Sequence, residues 1–180
     1  FHLRVGEVLD NIIFHFWPLA NSWVSQKGHI IMRRKYHFIT VDHSFEIHVP
    51  HDIHAYQRSR RTLLRLLRNT PVAAFDIHRD SAPAKTYFTY VTGVETARIM
   101  IVVGRQNPNM NANLAFARQI KQRADEIYPG LLRGIFIGQG SYNQDLFPRA
   151  LIFEIGTSEL PEQLAQNAAH CLGDVIGTLF

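Results

Sequence analysis

The chain contains two short apolar runs that each carry an ionisable residue near their end, Val72-Ala73-Ala74-Phe75-Asp76-Ile77-His78-Arg79-Asp80 and Ala150-Leu151-Ile152-Phe153-Glu154-Ile155-Gly156. Runs of this length, bounded by turn residues, are typical of strands buried on both faces. In open α/β sheets, functional groups collect at the carboxyl ends of such strands. We therefore expect His78 and Glu154 to lie at a functional site.

Helix patterns alternate with these strands. We predict an α/β domain with a parallel or mixed central sheet flanked by helices. Further strands are expected over residues 38–49 and 97–104, with a polar loop around Pro83 and a glycine-rich connection over residues 132–140. The predicted helices are Ala55 to Asn69, a long helix capped by Asn111 or Asn113 and closed by Tyr128-Pro129-Gly130, and a last helix that starts near Ser158.

The composition limits the class of protein. The chain has 180 residues, of which 46% are hydrophobic and 19% charged, as expected for one globular domain with a sizeable core. A single cysteine, Cys171, excludes an intramolecular disulfide and a multi-thiolate zinc site, so a metal would need histidine and carboxylate ligands. The net charge of +4 favours anionic partners such as cell-wall polymer, nucleic acid or lipid head groups.

His78 has two interpretations from its strand position. Alternate residues of a strand share a face, so Asp76, His78 and Asp80 point the same way. This suits a metal-binding imidazole that nearby carboxylates orient. A structural histidine paired with Asp76 or Asp80 would give the same pattern.

Glu154 also has two interpretations. It shares a face with Ala150 and Ile152, and an unpaired carboxylate in that position would have a raised pKa, which suits a general acid or base. Alternatively, Glu154 pairs with Arg149 or reaches water.

The segment from His43 to His54 is rich in histidine. His43 and Glu46 could reach one metal ion if the chain turned sharply there, although the helical zinc signature is absent. An exposed, partly titrating loop would have the same composition. The arginines of the first predicted helix indicate a solvated face or a phosphate or carboxylate contact, and because Tyr56 is the only aromatic residue near them we do not predict nucleic-acid binding.

From Tyr56 onward the sequence resembles the stage II sporulation protein P family. The resemblance covers about two thirds of the chain, and its specific signals are the combination of an Asp-Ile-His-Arg-Asp block and a Tyr-Asn-Gln-Asp-Leu block. The matching blocks are Ala55-Tyr56 with Ser59-Arg60, Asp76 to Asp80, Ala97-Arg98 through Gly104, Tyr128 to Leu131 with Arg133-Gly134, Tyr142 to Leu146, and Ala150 to Ile152 with Glu154 and Gly156.

The resemblance implies a zinc-dependent N-acetylmuramoyl-L-alanine amidase that cuts peptidoglycan during endospore engulfment. It implies that His78 binds zinc, that Glu154 is the catalytic carboxylate, and that Arg79, Tyr142 and Asn143 position the peptide or the oxyanion. It further implies an extracytoplasmic protein with a membrane anchor upstream, peptidoglycan as substrate and a lytic transglycosylase as partner. Because the chain starts at Phe1 rather than Met, we expect it to be a piece of a longer protein.

The chain departs from the family in its first third. The family has a His-Thr-His motif on its first strand, followed by Glu, and this motif is not intact here. One alignment places it at residues 39–46, which makes His43 and Glu46 metal ligands; another matches Val5-Gly6 and Leu9 to a later helix, with the ligand strand before Phe1. We therefore expect residues 1–54 to be a truncated N-terminal segment and 55–180 the amidase-like core of one domain. The alternative function is a non-catalytic peptidoglycan-binding domain that has lost part of its zinc site.

Overall fold

The structure of the protein, a computed structural model, describes residues 12–16, 40–42, 52, 54–68 and 71–180. These residues form a mixed sheet and a hairpin together with helices, which confirms the predicted α/β class. The strands are β1 (Ile12–Phe16), β2 (Thr40–Asp42), β3 (Ala73–Asp80), β4 (Phe88–Val91), β5 (Val94–Ala97), β6 (Ile99–Gly104), β7 (Leu132–Gly138) and β8 (Ala150–Thr157), and the helices are α1 (Ala55–Leu67), α2 (Met110–Ile127) and α3 (Glu162–Gly177).

The described part of the sheet has six strands in the order β2-β1-β3-β8-β6-β7. Strands β2, β1, β3 and β8 run parallel, whereas β6 and β7 run antiparallel to β8. The carboxyl ends of β1, β3 and β8 therefore lie at the same end of the sheet, where β6 and β7 begin. The predicted site lies at this end of the sheet.

The two faces of the sheet pack against different helices. Phe75 and Ile77 of β3 belong to the main core, which also contains Phe116 and Ile120 of α2 and Leu172 of α3. The alternate β3 residues face α1, where a smaller apolar cluster joins Leu66, Ala74 and Ala150. Because the second cluster is small, polar side chains occupy much of the space between α1 and the sheet.

The helices lie close to their predicted positions, but one cap was predicted wrongly. Helix α2 begins at Met110 with Asn109 at its N-cap, so neither Asn111 nor Asn113 caps it. Asn113 is buried instead, and its side-chain amide donates to the carbonyls of Phe147 and Pro148 at 3.0 Å each. No described helix has both the length and the apolar character needed to cross a membrane.

Four of the described strands were not predicted: β1, β4, β5 and β7. The polar loop around Pro83 leads into the β4–β5 hairpin, which turns at Thr92 and Gly93 with φ of 51° and 82°. The glycine-rich connection is strand β7, and residues 12–16, for which no element was predicted, form β1. Only residues 40–42 of the strand predicted over 38–49 are described, and they are extended as expected.

Candidate active site

His78 and Glu154 lie side by side at the carboxyl ends of neighbouring strands. They are direct register partners in the parallel pair of β3 and β8, and the His78 Nδ1 to Glu154 Oε1 distance is 3.7 Å. Their side chains are 9% and 19% exposed, respectively. The two apolar runs thus bring an imidazole and a carboxylate into one buried position.

Asp76 approaches the other side of the imidazole. Its Oδ1 lies 3.1 Å from His78 Nε2, so the ring stands between two carboxylates. Burial alone would lower the pKa of His78, but the charges of Asp76 and Glu154 and the Asp76 hydrogen bond outweigh it, and the pKa lies above its ordinary value. The ring therefore holds a proton more tightly than a solvated histidine.

Glu154 is a carboxylate in a poorly solvated place. Burial raises its pKa to about 7; the neighbouring His78 opposes this shift, and the charges of Asp80 and Asp76 add to it. Its buried Oε2 has no hydrogen-bond partner among the described residues. Such an oxygen can accept a bond from a ligand or from water without breaking one inside the protein.

Tyr56, in the first turn of α1, covers the imidazole. Its ring stacks on that of His78 with the centroids 6.5 Å apart and the planes at 20°. Burial, together with the charges of Asp76 and Glu154, raises the pKa of Tyr56 far above its ordinary value, so its hydroxyl stays protonated. We did not predict this residue as part of the site, although the Ala55-Tyr56 block of the family resemblance points to it.

Tyr142 lies against Tyr56 and rests on glycines. The two tyrosine ring centroids are 5.3 Å apart. A Cβ atom would lie 2.9 Å from Tyr142 Cε2 if added at Gly138, 2.7 Å from Cε1 if added at Gly140 and 3.0 Å from Cδ2 if added at Gly104. Real Cβ atoms rarely come so close, so the position of the Tyr142 ring requires these three residues to lack side chains.

Tyr142 and Asn143 both have left-handed backbone, with φ of 54° and 59°. The Asn143 side-chain amide donates to the carbonyl of Tyr56 at 2.8 Å and to Ser59 Oγ at 3.0 Å, and its Oδ1 accepts from Arg60 at 3.3 Å. Both ends of this amide are thus bound within the protein, and a substrate contact by Asn143 stays a prediction.

Gln144 and Asp145, which follow Asn143, also bond this turn to the rest of the protein. The Arg60 guanidinium donates to both carboxylate oxygens of Asp145, at 2.9 and 2.6 Å. Gln144 is buried, donates to the Val102 carbonyl at 2.9 Å and accepts from the Gly104 N–H at 2.8 Å. The Ser-Arg and Tyr-Asn-Gln-Asp blocks, far apart in the sequence, are therefore contact partners that join α1 to β6.

Arg79 lies on the opposite face of β3 from His78. Its guanidinium donates to the carbonyl of Thr157 and, at 2.6 Å, to that of Leu160. The structure therefore does not bring it together with His78 and Glu154, and its predicted substrate contact stays a prediction. Asp80, which follows it, accepts a hydrogen bond from the Tyr87 hydroxyl at 2.7 Å.

The predicted metal ligands are only partly described. His43 and Glu46 lie outside the described residues, and within the ranges that the structure describes no group of three or more histidine, cysteine or acidic residues could hold a metal ion. The backbone of β1 places His15 in register with Asp76, on the strand next to β3. We did not predict His15 as a candidate residue, although it directly follows an apolar run, Ile12-Ile13-Phe14.

Comparison with known proteins identifies relatives. The family model described as "Stage II sporulation protein P (SpoIIP)" matches residues 32–177. The stage II sporulation protein P of Bacillus subtilis (strain 168) is 34% identical over 110 residues, which cover 58% of this chain. The chain spans only 27% of the length of that relative.

Two solved structures have a similar fold. One is an N-acetylmuramoyl-L-alanine amidase from Clostridium difficile 630, with a TM-score of 0.52 and 12% identity over 94% of this chain and 95% of the other. The second is the catalytic domain of CwlV, an N-acetylmuramoyl-L-alanine amidase from Bacillus (Paenibacillus) polymyxa var. colistinus, with a TM-score of 0.51 and 13% identity over 94% of this chain and 97% of the other.

Proposed function

Because the chain belongs to the stage II sporulation protein P family, we propose that it is a zinc-dependent amidase that cleaves the bond between N-acetylmuramic acid and L-alanine in peptidoglycan. Family membership and the amidase fold support a cell-wall amidase-like function in sporulation. The observation that carries the finer proposal is the buried pair of His78 and Glu154, whose side chains are 3.7 Å apart.

The donor chemistry of the strand ends suits zinc in part. Zinc takes histidine nitrogen and carboxylate oxygen, and the buried Glu154 Oε2 has no internal partner in the described part of the chain. Asp76 contacts Nε2 of His78. The other ring nitrogen, Nδ1, faces Glu154 and is therefore the atom that would bind zinc. The remaining ligands must come from elsewhere in the chain.

We propose His15 as one of them, beside the His43 and Glu46 predicted from the sequence. β1 is the direct neighbour of β3, whereas β2, which directly precedes His43 in the sequence, is one strand further away. The register of His15 with Asp76 therefore supports His15 as the strand-borne ligand on the side of β3 away from Glu154.

The mechanism assigns each group a task. Bound zinc would polarise the scissile carbonyl and acidify a water molecule. Glu154, whose pKa burial raises in the metal-free protein, accepts the proton of the attacking water and returns it to the departing amine of L-alanine. Asp76 orients the His78 imidazole throughout.

The experiment measures zinc content and the release of stem peptides from purified sacculi by mass spectrometry. We expect one zinc ion per chain and products that begin with L-alanine. His78→Ala should lose zinc and activity together, whereas His170→Ala, at an exposed position on α3, should keep both. Stoichiometric zinc that survives His78→Ala would refute the ligand assignment.

The second candidate is a peptidoglycan-binding domain without catalysis. It is considered because the His-Thr-His motif of the family is not intact in the first third of the sequence. Such a protein would sediment with sacculi and release no stem peptide, in the presence or absence of added zinc. The same experiment therefore separates the two functions.

The family also supports proposals about the cellular context. We propose that the protein acts outside the cytoplasmic membrane together with a lytic transglycosylase, and that a membrane anchor beyond residues 1–180 holds it there. Co-purification of the transglycosylase with the full-length protein from sporulating cells would test this partnership.

A further inference from the structure

We propose that Tyr56 is a positioning residue for the His78 imidazole, and that the turn formed by Tyr142 and Asn143 holds Tyr56 in place. This inference rests on the proposed function, because it assigns the tyrosine pair to the metal-binding imidazole. It concerns contacts that the amidase mechanism above does not use.

The His78 ring is contacted at its two nitrogens and at one face. Asp76 Oδ1 lies 3.1 Å from Nε2 and Glu154 Oε1 lies 3.7 Å from Nδ1, so the two carboxylates set the direction of the ring nitrogens. The Tyr56 ring stacks on the imidazole with the planes at 20° and limits its tilt. The carboxylates and Tyr56 together therefore define both the direction of the ring nitrogens and the plane of the ring.

Tyr56 is itself held at two points by one turn. Asn143 donates to its backbone carbonyl at 2.8 Å, and the Tyr142 ring contacts its ring at a centroid distance of 5.3 Å. Tyr142 therefore holds the side chain of Tyr56, and the next residue, Asn143, holds its backbone. This fixes the first turn of α1 relative to the end of β3.

The holding turn is strained and closely packed. Tyr142 and Asn143 are non-glycine residues in left-handed backbone, which is strained and persists only where the surroundings enforce it. The enforcing contacts are the Asn143 amide and the backbone of Gly104, Gly138 and Gly140 beneath Tyr142. Tyr142 consequently has little room to move away from Tyr56.

The first test measures the order of the His78 ring in the metal-free protein. The Cε1–Hε1 signal of ¹³C-labelled His78 is assigned with His78→Gln, and its order parameter is compared with that of His170 on α3. In Tyr56→Leu we expect the His78 value to fall below about 0.6, the range of flexible groups, while His170 does not change. Tyr56→Phe should behave as wild type because it keeps the ring.

Two further variants guard against misfolding and non-specific effects. Gly138→Ala leaves Tyr56 intact but places a methyl group where the Tyr142 ring lies, so that the ring must move. The order parameter of His78 should therefore fall in this variant too. Tyr90→Leu, at an exposed position on the β4–β5 hairpin, should have no effect. An unchanged His78 order parameter in folded Tyr56→Leu would overturn the proposal, and if Tyr56→Leu does not fold, an unchanged value in Gly138→Ala would do so.

The second test measures zinc affinity by competition with a chelator. Loss of a residue that orients a ligand typically weakens metal binding by about 10–100-fold, and we expect this in Tyr56→Leu but not in Tyr56→Phe. If wild-type protein binds no zinc, the proposed function fails while the order parameters still decide whether Tyr56 positions His78. Equal zinc affinity in Tyr56→Leu and wild type would refute the positioning role.

Discussion

Two polar clusters lie between α1 and the sheet, and they differ in how their hydrogen bonds are satisfied. The anchor cluster consists of Ser59, Arg60, Asn143, Gln144 and Asp145, and each of these side chains bonds to a partner in the protein. The strand-end cluster consists of Asp76, His78 and Glu154, and there a buried carboxylate oxygen lacks a hydrogen-bond partner among the described residues. A satisfied polar network stabilises and specifies a fold, whereas an incompletely satisfied one with a raised pKa marks a place for a ligand.

The largest expected effect separates the clusters by activity. Glu154→Gln should lower the rate of stem-peptide release by about 10²–10⁴-fold, since it removes the general base. Glu126→Gln, on the exposed face of α2, is the matched control and should act as wild type. A Glu154→Gln rate within a few-fold of wild type would show that the strand-end cluster does not perform the chemistry.

The second prediction concerns stability. Gln144→Leu leaves the Gly104 N–H and the Val102 carbonyl without their side-chain partner, and each buried unsatisfied group costs about 1–3 kcal/mol. We expect the free energy of unfolding in urea to fall by roughly 4 kcal/mol. A loss below about 1 kcal/mol would mean that the anchor cluster contributes little to the stability of the fold.

The third prediction uses pH on the strand-end cluster. The pKa of Glu154 is raised on folding from 4.5 to about 7, so the folded state binds the extra proton and loses stability as pH rises through about 7. In the metal-free protein, Glu154→Gln should therefore leave stability nearly unchanged at pH 4.5 relative to wild type and raise it at pH 8, by up to about 3 kcal/mol. Urea unfolding in chelator at the two pH values measures this, and equal differences at both would contradict it.

The smallest expected effect is the pH dependence of stability at the anchor cluster. Its sign is opposite to that at the strand-end cluster. The Arg60 hydrogen bond holds the pKa of Asp145 below its ordinary value, so the stability from this pair is present above the unfolded pKa and is lost as pH falls through the folded one. Because Arg60 is 39% exposed, we expect Asp145→Asn to cost only about 1 kcal/mol at pH 7 and almost nothing at pH 2. A larger loss at pH 2 than at pH 7 would reverse the interpretation.

The apolar runs predicted the strands of the site because burial on both faces leaves a strong signal. Residues 73–80 and 150–157 are strands, and the two ionisable groups do lie at a common edge. The register that pairs His78 with Glu154 could not be predicted, since it depends on contacts between segments distant in the chain. The family resemblance was needed to suggest a reaction.

The features that were not predicted from the sequence were hidden for a different physical reason. Strand β7 was hidden by its glycines, and Gly138 lacks a side chain because the Tyr142 ring occupies that space. Tyr56 was missed because its contact with His78 links residues on separate elements, which no local pattern records. The Asn143 side chain bonds to α1, and its predicted substrate contact stays a prediction.

The adjacency of β3 and β8 has a consequence for how the protein folds. These strands are neighbours in the sheet, yet β4 to β7 and α2 lie between them in the sequence. Closing so long a loop is slow compared with forming local structure. We therefore expect the imidazole and the carboxylate to come together late in folding, after the local elements between them have formed.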